Sequence, residues 1–426
     1  MDNPGASDIV RRRILMVIPE LGYGGAERSF LSLARLLSEY HDVSIAVFKR
    51  HYANGKYAQE KCEVGFPLTV LDADVAINKF GRWMRRLRGL QVLKAEADVT
   101  ISFLTGANIL NVATGGKSRK IVSMRGSRRF DPAFSKFKLF FYEHLIDPLT
   151  FRYSDCVIAI SEGLSNELKS KIGYKTRKKI RTIELFFDVE QLIKSSDGEI
   201  EDKILALKGQ PVLISAGRLS PEKGFQSLLH VFAGVRQSIP NAKLILIGDG
   251  PLYQTLVDLC KSLNLPISDG ESGLYESAVV FLGYRSSPHR YFRVANLFVS
   301  SSLTEGFSNI IVEALVTGIP VLATDCPWGP RSILWETPVN VTVPYPTEEP
   351  TYADYGVLMP RIDESKYYQV WVDELIKFLV NPTLVGQYLN KGKEKVAQLD
   401  SKRIAQKWFE IIDEATVKQD EAVNGK

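Results

Sequence analysis

Cysteine, histidine and long apolar runs are all scarce in this sequence of 426 residues. The four cysteines are scattered and form no C-x-x-C pair, so we interpret them as buried thiols of a reducing compartment. The five histidines lack metal-ligand spacing. No uncharged apolar run approaches the ~18 residues of a membrane span, and the first residues lack the apolar core of a signal peptide. We therefore expect a cytoplasmic protein that needs no metal or other cofactor.

Charge is distributed unevenly along the chain. The formal net charge is +5, yet residues 1–190 hold 31 Lys and Arg against 21 Asp and Glu, which is +10. The remainder holds 23 against 28, which is −5. A basic first half is typical of proteins that contact nucleic acid or an anionic membrane surface. The length itself favours two domains of ordinary size.

Short apolar runs alternate with helical patterns over most of the chain, which predicts parallel sheets with helices on both faces. A polar stretch interrupts this alternation once, and the pattern then restarts. The predicted fold is therefore α/β, with two Rossmann-like, doubly wound domains. The predicted boundaries are a first domain over 1–190, a linker over 191–209, a second domain over 210–395, and a C-terminal helix over 396–426 that packs back toward the first domain.

The predicted strands are short and apolar, as buried parallel strands are. They cover residues 14–18, 43–48, 68–71, 99–103, 121–124 and 157–160 in the first domain, and 212–216, 244–247, 279–282, 297–300 and 321–323 in the second.

The stretch over 300–315 carries the clearest chemical pattern. A strand ends in a serine-rich loop that contains Glu305, and Ser308 or Asn309 then caps a helix. The N-terminus of such a helix presents free N–H groups and the positive end of a dipole, which suits an anion. Glu313 follows inside the helix, on the order of 10 Å from Glu305. The stretch therefore favours a ligand with a phosphate flanked by hydroxyl groups, such as a nucleotide sugar.

Glycines and cations recur at the carboxyl ends of other predicted strands of the second domain, where ligands bind in open α/β sheets. Arg218 and Lys223 are flanked by glycines and suit a diphosphate, although a solvated turn is the plain alternative. A turn before a helix explains the Gly248-Asp249-Gly250 sequence equally well. The candidates for further ligand contact in these loops are Gly217, Gly248, Gly250, Gly283 and Tyr284.

A glycine loop also follows the first predicted strand, where Gly24 and Gly25 precede a helix. Glycines allow a phosphate to approach the backbone closely, and a tight turn is the alternative interpretation. The spacing departs from G-x-G-x-x-G, and no acidic residue follows at a convincing strand end. These departures argue against a dinucleotide-dependent dehydrogenase.

Taken in chain order, these motifs resemble those of the retaining glycosyltransferases of family 4 (glycosyl transferases group 1). The resemblance implies the GT-B fold, in which two Rossmann-like domains face across a cleft. The resemblance rests on Glu305-x7-Glu313 within E-G-F-S-N-I-I-V-E-A-L, on the Arg218 and Lys223 pair, and on the glycine loop. It covers the chain from about residue 14 to the C-terminal helices. The sequence D-C-P-W-G-P-R at 325–331 resembles members that build bacterial surface polysaccharides or lipid-linked glycans.

The resemblance implies an enzyme that moves a hexose or N-acetylhexosamine from a nucleotide sugar, UDP-sugar favoured, to a lipid-linked or surface-glycan acceptor without a metal. It implies that Arg218 and Lys223 neutralise the leaving diphosphate, that Glu305 faces the transferred sugar, and that Glu313 binds the ribose. The implied donor-binding residues are Gly24, Gly25, Gly217, Gly248, Gly250, Gly283, Tyr284, Gly306, Phe307, Ser308, Asn309 and Glu313.

The acceptor side is assigned to the first domain by the same resemblance, with Glu27 and Arg125 as its residues. Arg125 stands where many family members carry a histidine, so it supplies positive charge but no neutral imidazole. Asp72-Ala73-Asp74 spells the D-x-D metal motif of a different glycosyltransferase fold. Because it lies apart from the Glu305 stretch, we interpret it as a turn.

Basic residues interleave with aromatic ones over 79–88 and 128–141. This pattern suits a peripheral contact with anionic lipid at the cytoplasmic membrane face and a lipid-diphosphate acceptor. A solvated basic helix with core phenylalanines is an equally good interpretation. No nucleic-acid motif is present, so nucleic acid is not an expected partner.

Other classes of function stay open on the sequence. A glycoside hydrolase would use Glu305 and Glu313 as acid and base, but it would not need the basic pair. A non-catalytic nucleotide-sugar-binding protein would not need both glutamates and both cations. A sugar-nucleotide epimerase is a further enzyme of similar architecture.

Overall fold

The computed structural model describes residues 10–22, 25–49, 65–72, 78–127, 135–336, 346–389 and 391–424. These residues form two compact units. Unit 1 contains the described residues up to Arg125, those over Lys136–Phe186, and those from Ser401 onward. Unit 2 contains the described residues of Gly126–Ser135 and of Phe187–Asp400.

A parallel sheet forms the centre of unit 1, in the order β3-β2-β1-β4-β5-β6-β7 among the described residues. Its inner strands are short apolar runs that are buried almost completely, as expected where helices cover both faces. The order reverses between β1 and β4, which is the switch point of a doubly wound sheet. The strands are β1 Arg13–Ile18, β2 Asp42–Val47, β3 Leu68–Val70, β4 Val99–Phe103, β5 Arg119–Met124, β6 Cys156–Ala159 and β7 Ile180–Thr182.

The helices of unit 1 include one long segment from the C-terminus. They are α1 Gly25–Ser38, α2 Lys79–Glu96, α3 Thr105–Ala113, α4 Lys136–Phe141, the π-helix Tyr142–Ile146, α5 Asp147–Tyr153, α6 Glu162–Ser170, α7 Tyr174–Arg177 and α17 Ser401–Asn424. The apolar face of α17 joins the same core as α1: Trp408 and Ile412 pack with Phe30 and Leu37.

Unit 2 is built around a second sheet, in the order β10-β11-β9-β8-β12-β13-β15-β14 among the described residues. Its pairs are parallel except for β14 with β15. The order reverses between β8 and β12, as it does between β1 and β4 in unit 1. The strands are β8 Val212–Ala216, β9 Lys243–Ile247, β10 Ile267–Ser268, β11 Val279–Phe281, β12 Leu297–Ser300, β13 Val321–Thr324, β14 Thr351–Tyr352 and β15 Val357–Met359.

Helices pack on this sheet around a core that includes Phe232 and Trp371. The α-helices are α8 Val189–Ser196, α9 Asp202–Leu205, α10 Phe225–Ser238, α11 Tyr253–Ser262, α12 Asn309–Thr317, α13 Gly329–Leu334, α14 Tyr368–Val380, α15 Pro382–Tyr388 and α16 Gly392–Gln398. The 3₁₀ helices are Pro221–Lys223, Pro288–Val294 and Ser365–Tyr367.

The residues predicted as a linker over 191–209 contain most of α8 and all of α9, and they lie within unit 2. Their polar composition hides this structure because the helices are anchored by side chains from elsewhere: Arg290 donates to the carbonyl of Ser195 at 3.0 Å. The prediction missed strands β7, β10, β14 and β15, each of which has only two or three residues and therefore carries little periodic pattern.

Among the described residues, no helix combines the length and the apolarity that are needed to cross a membrane.

Cys260 and Cys326 are buried, Cys156 is partly exposed, and Cys62 lies outside the described residues.

Candidate active site

The loops after β8 and β12 begin side by side, because these strands are neighbours in the sheet and pair Leu213 with Leu297. The first loop carries Arg218 and Lys223, and the second carries Glu305. Both loops leave the carboxyl edge of the sheet at the point where the strand order reverses, which is where open α/β sheets bind ligands.

An ion pair joins the two loops. Nζ of Lys223 lies 2.5 Å from Oε1 of Glu305, and the hydroxyl of Ser302 donates to the same oxygen at 2.8 Å. The Lys223 side chain is 22% exposed and the Glu305 side chain is 11% exposed. Burial alone lowers the pKa of the Lys223 amine, but the Glu305 carboxylate outweighs it and raises that pKa above its ordinary value. The amine is therefore held charged at neutral pH.

Lys223 is held by the backbone of the second loop. Gly224, which follows it, has a φ of +65°, and a Cβ there would lie 2.1 Å from the carbonyl oxygen of Ser301. The hydroxyl of Ser301 in turn donates to the carbonyl of Lys223 at 2.7 Å. Glycine at 224 thus allows the two loops to pack closely, and this packing fixes the backbone position of Lys223.

Arg218 lies on the first loop and is exposed. Its loop position is fixed by the backbone, since the N–H of Leu219 donates to the carbonyl of Asp249 at 2.9 Å. The first loop thus carries an exposed guanidinium in addition to the paired amine of Lys223, and an exposed guanidinium can bind an anionic ligand.

The N-terminus of α12 carries two buried oxygens that lack a hydrogen-bond partner among the described residues. They are Oγ of Ser308 and Oδ1 of Asn309. Ser308 stands at the N-cap position without accepting a capping hydrogen bond from the helix. Phe307 before it is buried and stacks on Phe187. Buried polar atoms are normally satisfied, so this terminus, together with the preceding Gly306, is suited to receive a polar ligand.

Glu313 lies one turn into α12 and is 4% exposed. Its Oε2 atom is 3.5 Å from Nδ1 of His289, which belongs to the 3₁₀ helix Pro288–Val294. The other ring nitrogen of His289, Nε2, lies 2.6 Å from the hydroxyl of Ser195 on α8.

The glycines of the neighbouring loops have a packing role. A Cβ at Gly248 would lie 1.8 Å from the carbonyl oxygen of Gly217, and one at Gly250 would lie 2.5 Å from that of Leu219. Both glycines are needed to bring the loop after β9 against the loop after β8, with or without a ligand. Gly283, which has a φ of +64°, accepts a hydrogen bond from the N–H of Gly248, and Tyr284 follows it.

Unit 1 brings its two predicted acceptor-side residues into electrostatic contact. Arg125 donates to the hydroxyl of Ser29, and its guanidinium lies 4.5 Å over the ring of Phe103. Burial lowers the pKa of Arg125 to about 9, and the Glu27 carboxylate opposes this shift, so the guanidinium stays charged at neutral pH. Gly25 begins α1, whereas Gly24 lies outside the described residues.

Two further ion pairs bear on the sequence interpretation. Asp72 accepts two hydrogen bonds from Arg86, which accounts for one carboxylate of the D-x-D sequence, and Asp74 lies outside the described residues. Asp325 and Arg331, from the D-C-P-W-G-P-R sequence, form a fully buried pair at 2.5 Å. This pair supports the loop that holds Trp328, whose N–H donates to the carbonyl of Glu305.

Sequence analysis missed two side chains that support the predicted residues, Ser302 and His289. Ser302 had a signal, because it lies in the serine run three residues before Glu305. His289 had none: it is 24 residues before Glu313 in the chain, and only the packing of a 3₁₀ helix on α12 brings them together.

The family of glycosyl transferases group 1 matches this chain over residues 210–351. An uncharacterized glycosyltransferase of Methanocaldococcus jannaschii is 30% identical over 280 residues, which span 62% of this chain and 64% of that relative. The N-acetylgalactosamine-N,N'-diacetylbacillosaminyl-diphospho-undecaprenol 4-alpha-N-acetylgalactosaminyltransferase of Campylobacter jejuni is 24% identical over 413 residues, 92% of this chain and 97% of that protein.

A similar fold occurs in the crystal structure of Anabaena HepE in complex with UDP and glucose. The TM-score is 0.71 at 19% identity, over 95% of this chain and all of that one. Together with the parallel sheets of the two units, this likeness confirms the predicted GT-B class with Rossmann-like domains.

Proposed function

We propose that this chain, which is similar to the glycosyl transferases of group 1 over residues 210–351, transfers a hexose or N-acetylhexosamine from a nucleotide sugar to a lipid-linked or surface-glycan acceptor. The transfer retains the anomeric configuration and needs no metal. The observation that carries this proposal is the pair of Lys223 and Glu305 at the switch point of the unit 2 sheet, where the loop that carries Lys223 also carries Arg218.

The two cations act on the leaving group. In the proposed reaction Lys223 and Arg218 bind the diphosphate, and they stabilise the negative charge that grows as the bond to the anomeric carbon breaks. Before the donor arrives, Lys223 is neutralised by Glu305. A diphosphate therefore competes for an amine that is charged and in place, so little reorganisation is needed.

The α12 stretch orients the sugar and the ribose. Glu305 faces the hydroxyls of the transferred sugar, the backbone N–H groups of residues 306–309 contact its hydroxyls and phosphate, and Glu313 binds the ribose. The unsatisfied oxygens of Ser308 and Asn309 support this assignment, because a donor supplies hydroxyl groups to such acceptors. Arg125 and Glu27 act on the acceptor side of unit 1.

Glycoside hydrolysis is less well supported by the geometry. A hydrolase needs one carboxylic acid that donates a proton to the leaving oxygen. Oε1 of Glu305 instead accepts hydrogen bonds from both Lys223 and Ser302. Two donors on one carboxylate oxygen suit a group that orients ligand hydroxyls better than a general acid.

UDP is the proposed nucleotide and a lipid diphosphate the proposed acceptor carrier. The support for UDP is the Anabaena HepE structure, which contains UDP and glucose. The support for the carrier is the Campylobacter relative, whose name specifies a diphospho-undecaprenol acceptor.

A peripheral membrane contact at the cytoplasmic face completes the proposal. The segment over 136–153 exposes Phe137 at 82% and Phe140 at 60%, and α2 exposes Phe80 at 73%. Lysines 136 and 138 stand beside these rings. Exposed aromatics next to cations favour the interface of an anionic bilayer, where rings insert and charges contact headgroups.

The first experiment is a thermal-shift screen with UDP-, GDP- and ADP-sugars, followed by turnover of the stabilising donor with undecaprenyl-diphosphate-linked acceptors. We expect stabilisation by UDP-sugars. If no nucleotide sugar stabilises the protein, the proposed activity is wrong. Flotation with anionic and with zwitterionic vesicles at low salt then tests the membrane contact, which fails if neither kind of vesicle binds.

A further inference from the structure

The environment of Glu313 contains a histidine that is anchored by a serine. The hydroxyl of Ser195 lies 3.0 Å from the carbonyl oxygen of Leu192 and 2.6 Å from Nε2 of His289. A serine hydroxyl can donate one proton and can also accept, so it pairs with Nε2 in either tautomer of the ring. Ser195 therefore fixes the position of Nε2.

The second ring nitrogen then faces a carboxylate. Nδ1 of His289 lies 3.5 Å from Oε2 of Glu313, and each side chain is 6% exposed. A bare Nδ1 lone pair against a buried carboxylate oxygen is repulsive, whereas an Nδ1–H is attracted to it. We therefore place a proton on Nδ1, where the ring meets the Glu313 carboxylate.

The position of the ring is set by groups around α8. Arg290, the next residue, donates to the Ser195 carbonyl at 3.0 Å, and Arg293 reaches the Ser196 carbonyl at 3.5 Å. The 3₁₀ helix and the C-terminal end of α8 are thereby joined by two contacts that follow His289 in the chain, in addition to the contact of the ring with Ser195.

We propose that His289, anchored by Ser195, is a positioning residue that holds the Glu313 carboxylate in the orientation that receives the donor ribose. This inference rests on the proposed function, because it assigns Glu313 to the ribose. It adds a Ser195–His289–Glu313 relay by which the segment predicted as a linker, through α8, contributes to donor affinity.

Two substitutions of His289 test the contacts of its two ring nitrogens one at a time. His289→Asn places an amide N–H near the position of Nδ1 and keeps a donor for Glu313. His289→Gln places its amide near Nε2, so it keeps the contact with Ser195 and loses the one with Glu313. We expect UDP affinity, measured by calorimetry, to fall about tenfold in His289→Gln and less than about threefold in His289→Asn, since an electrostatic contact with a buried carboxylate is at stake.

Steady-state kinetics distinguish positioning from simple loss of packing. A ribose contact acts equally in the ground state and the transition state, so His289→Gln is expected to raise the donor KM with kcat nearly unchanged. His230→Gln is the matched control, because His230 is an exposed histidine of α10 that stacks on Tyr368. Equal UDP affinity in wild type and His289→Gln, or equal losses in the Asn and Gln variants, would overturn the relay.

A readout that needs no donor separates this inference from the proposed function. ¹⁵N spectra of the histidine rings are expected to show a proton on Nδ1 of His289 in wild type and a smaller share of that form in Glu313→Gln. If wild type binds none of UDP, GDP and ADP, the proposed function fails while the spectra still test the relay. If UDP binds but the Nδ1 proton is absent in wild type, the relay fails and the proposed function survives.

Discussion

The two sheets follow the same order around their first strands but differ in the chemistry of their carboxyl edges. Unit 1 runs β2-β1-β4-β5 across its switch point, and unit 2 runs β9-β8-β12-β13. At the unit 2 edge Lys223 pairs directly with Glu305. At the unit 1 edge the guanidinium of Arg125 lies on an aromatic ring and bonds to a serine, with Glu27 acting only at longer range.

This difference teaches that topology places a site and side chains select its ligand. A doubly wound sheet opens a crevice at its switch point whatever the sequence of the loops. The unit 2 edge combines close glycine packing, a paired amine and an exposed guanidinium, which suits a diphosphate. At the unit 1 edge the cation Arg125 lies over the apolar ring of Phe103, which suits a partner that is less highly charged or partly apolar.

The largest effect is expected at Lys223. Lys223→Ala removes a cation that acts on the leaving diphosphate, so kcat should fall by about a thousandfold, as for the loss of a preorganised transition-state contact. Turnover of the donor by the purified variant is the measurement. Lys261→Ala is the control, because that lysine is 66% exposed on α11. Turnover of Lys223→Ala within a few-fold of wild type would remove the amine from the mechanism.

Loss of the buried pair of Asp325 and Arg331 is expected to reduce the stability of the fold, whereas loss of Lys223 is expected to reduce turnover. Arg331→Ala leaves Asp325 buried without its partner, so the free energy of unfolding should fall by about 3 kcal/mol. Urea unfolding measures this loss. A variant that keeps wild-type stability and loses only kcat would show that this pair, too, acts on the ligand.

At the unit 1 edge we expect a smaller, acceptor-specific effect. Arg125→Ala should raise the acceptor KM by about tenfold and leave the donor KM unchanged, because a single charged contact is lost. Arg125→Lys, which keeps the charge, should restore part of the affinity. Equal changes in both KM values would contradict the assignment of the two edges to different substrates.

The smallest effect concerns a buried lysine of unit 1. Lys94 is 1% exposed and donates to Asn111 and Thr114, and burial lowers its pKa to about 7. The unfolded chain, with an ordinary lysine pKa of about 10.4, binds more protons between these values. Stability should therefore rise with pH from about 7 to 10, by at most ~1.4 kcal/mol per pH unit.

Urea titrations at pH 7, 8 and 9 test this dependence. Lys94→Met should flatten the rise relative to wild type, because the variant has no group that titrates at this position. Lys261→Met, at an exposed lysine, should keep the wild-type slope. An identical slope in wild type and Lys94→Met would show that the amine stays charged in the folded protein.

Local patterns determined most of the sheet and several site residues. Apolar runs of four to six residues marked β1, β4, β8 and β12, because a strand covered on both faces must be apolar along its whole length. Two pairs of site residues could be identified because the members of each pair are close together in the chain. These pairs are Arg218 with Lys223, and Glu305 with Glu313. The prediction that Arg218 and Lys223 act together on a diphosphate stays a prediction.

Only the tertiary structure decided which charges meet. Lys223 and Glu305 are 82 residues apart, and Ser195 and His289 are 94 apart. No local rule reaches across such distances, because these contacts follow from strand order and from loops that close glycine packing brings together. For the same reason the polar residues of α8 were interpreted as a linker. Their hydrogen-bond partners lie on a 3₁₀ helix that adjoins α8 only in the folded chain.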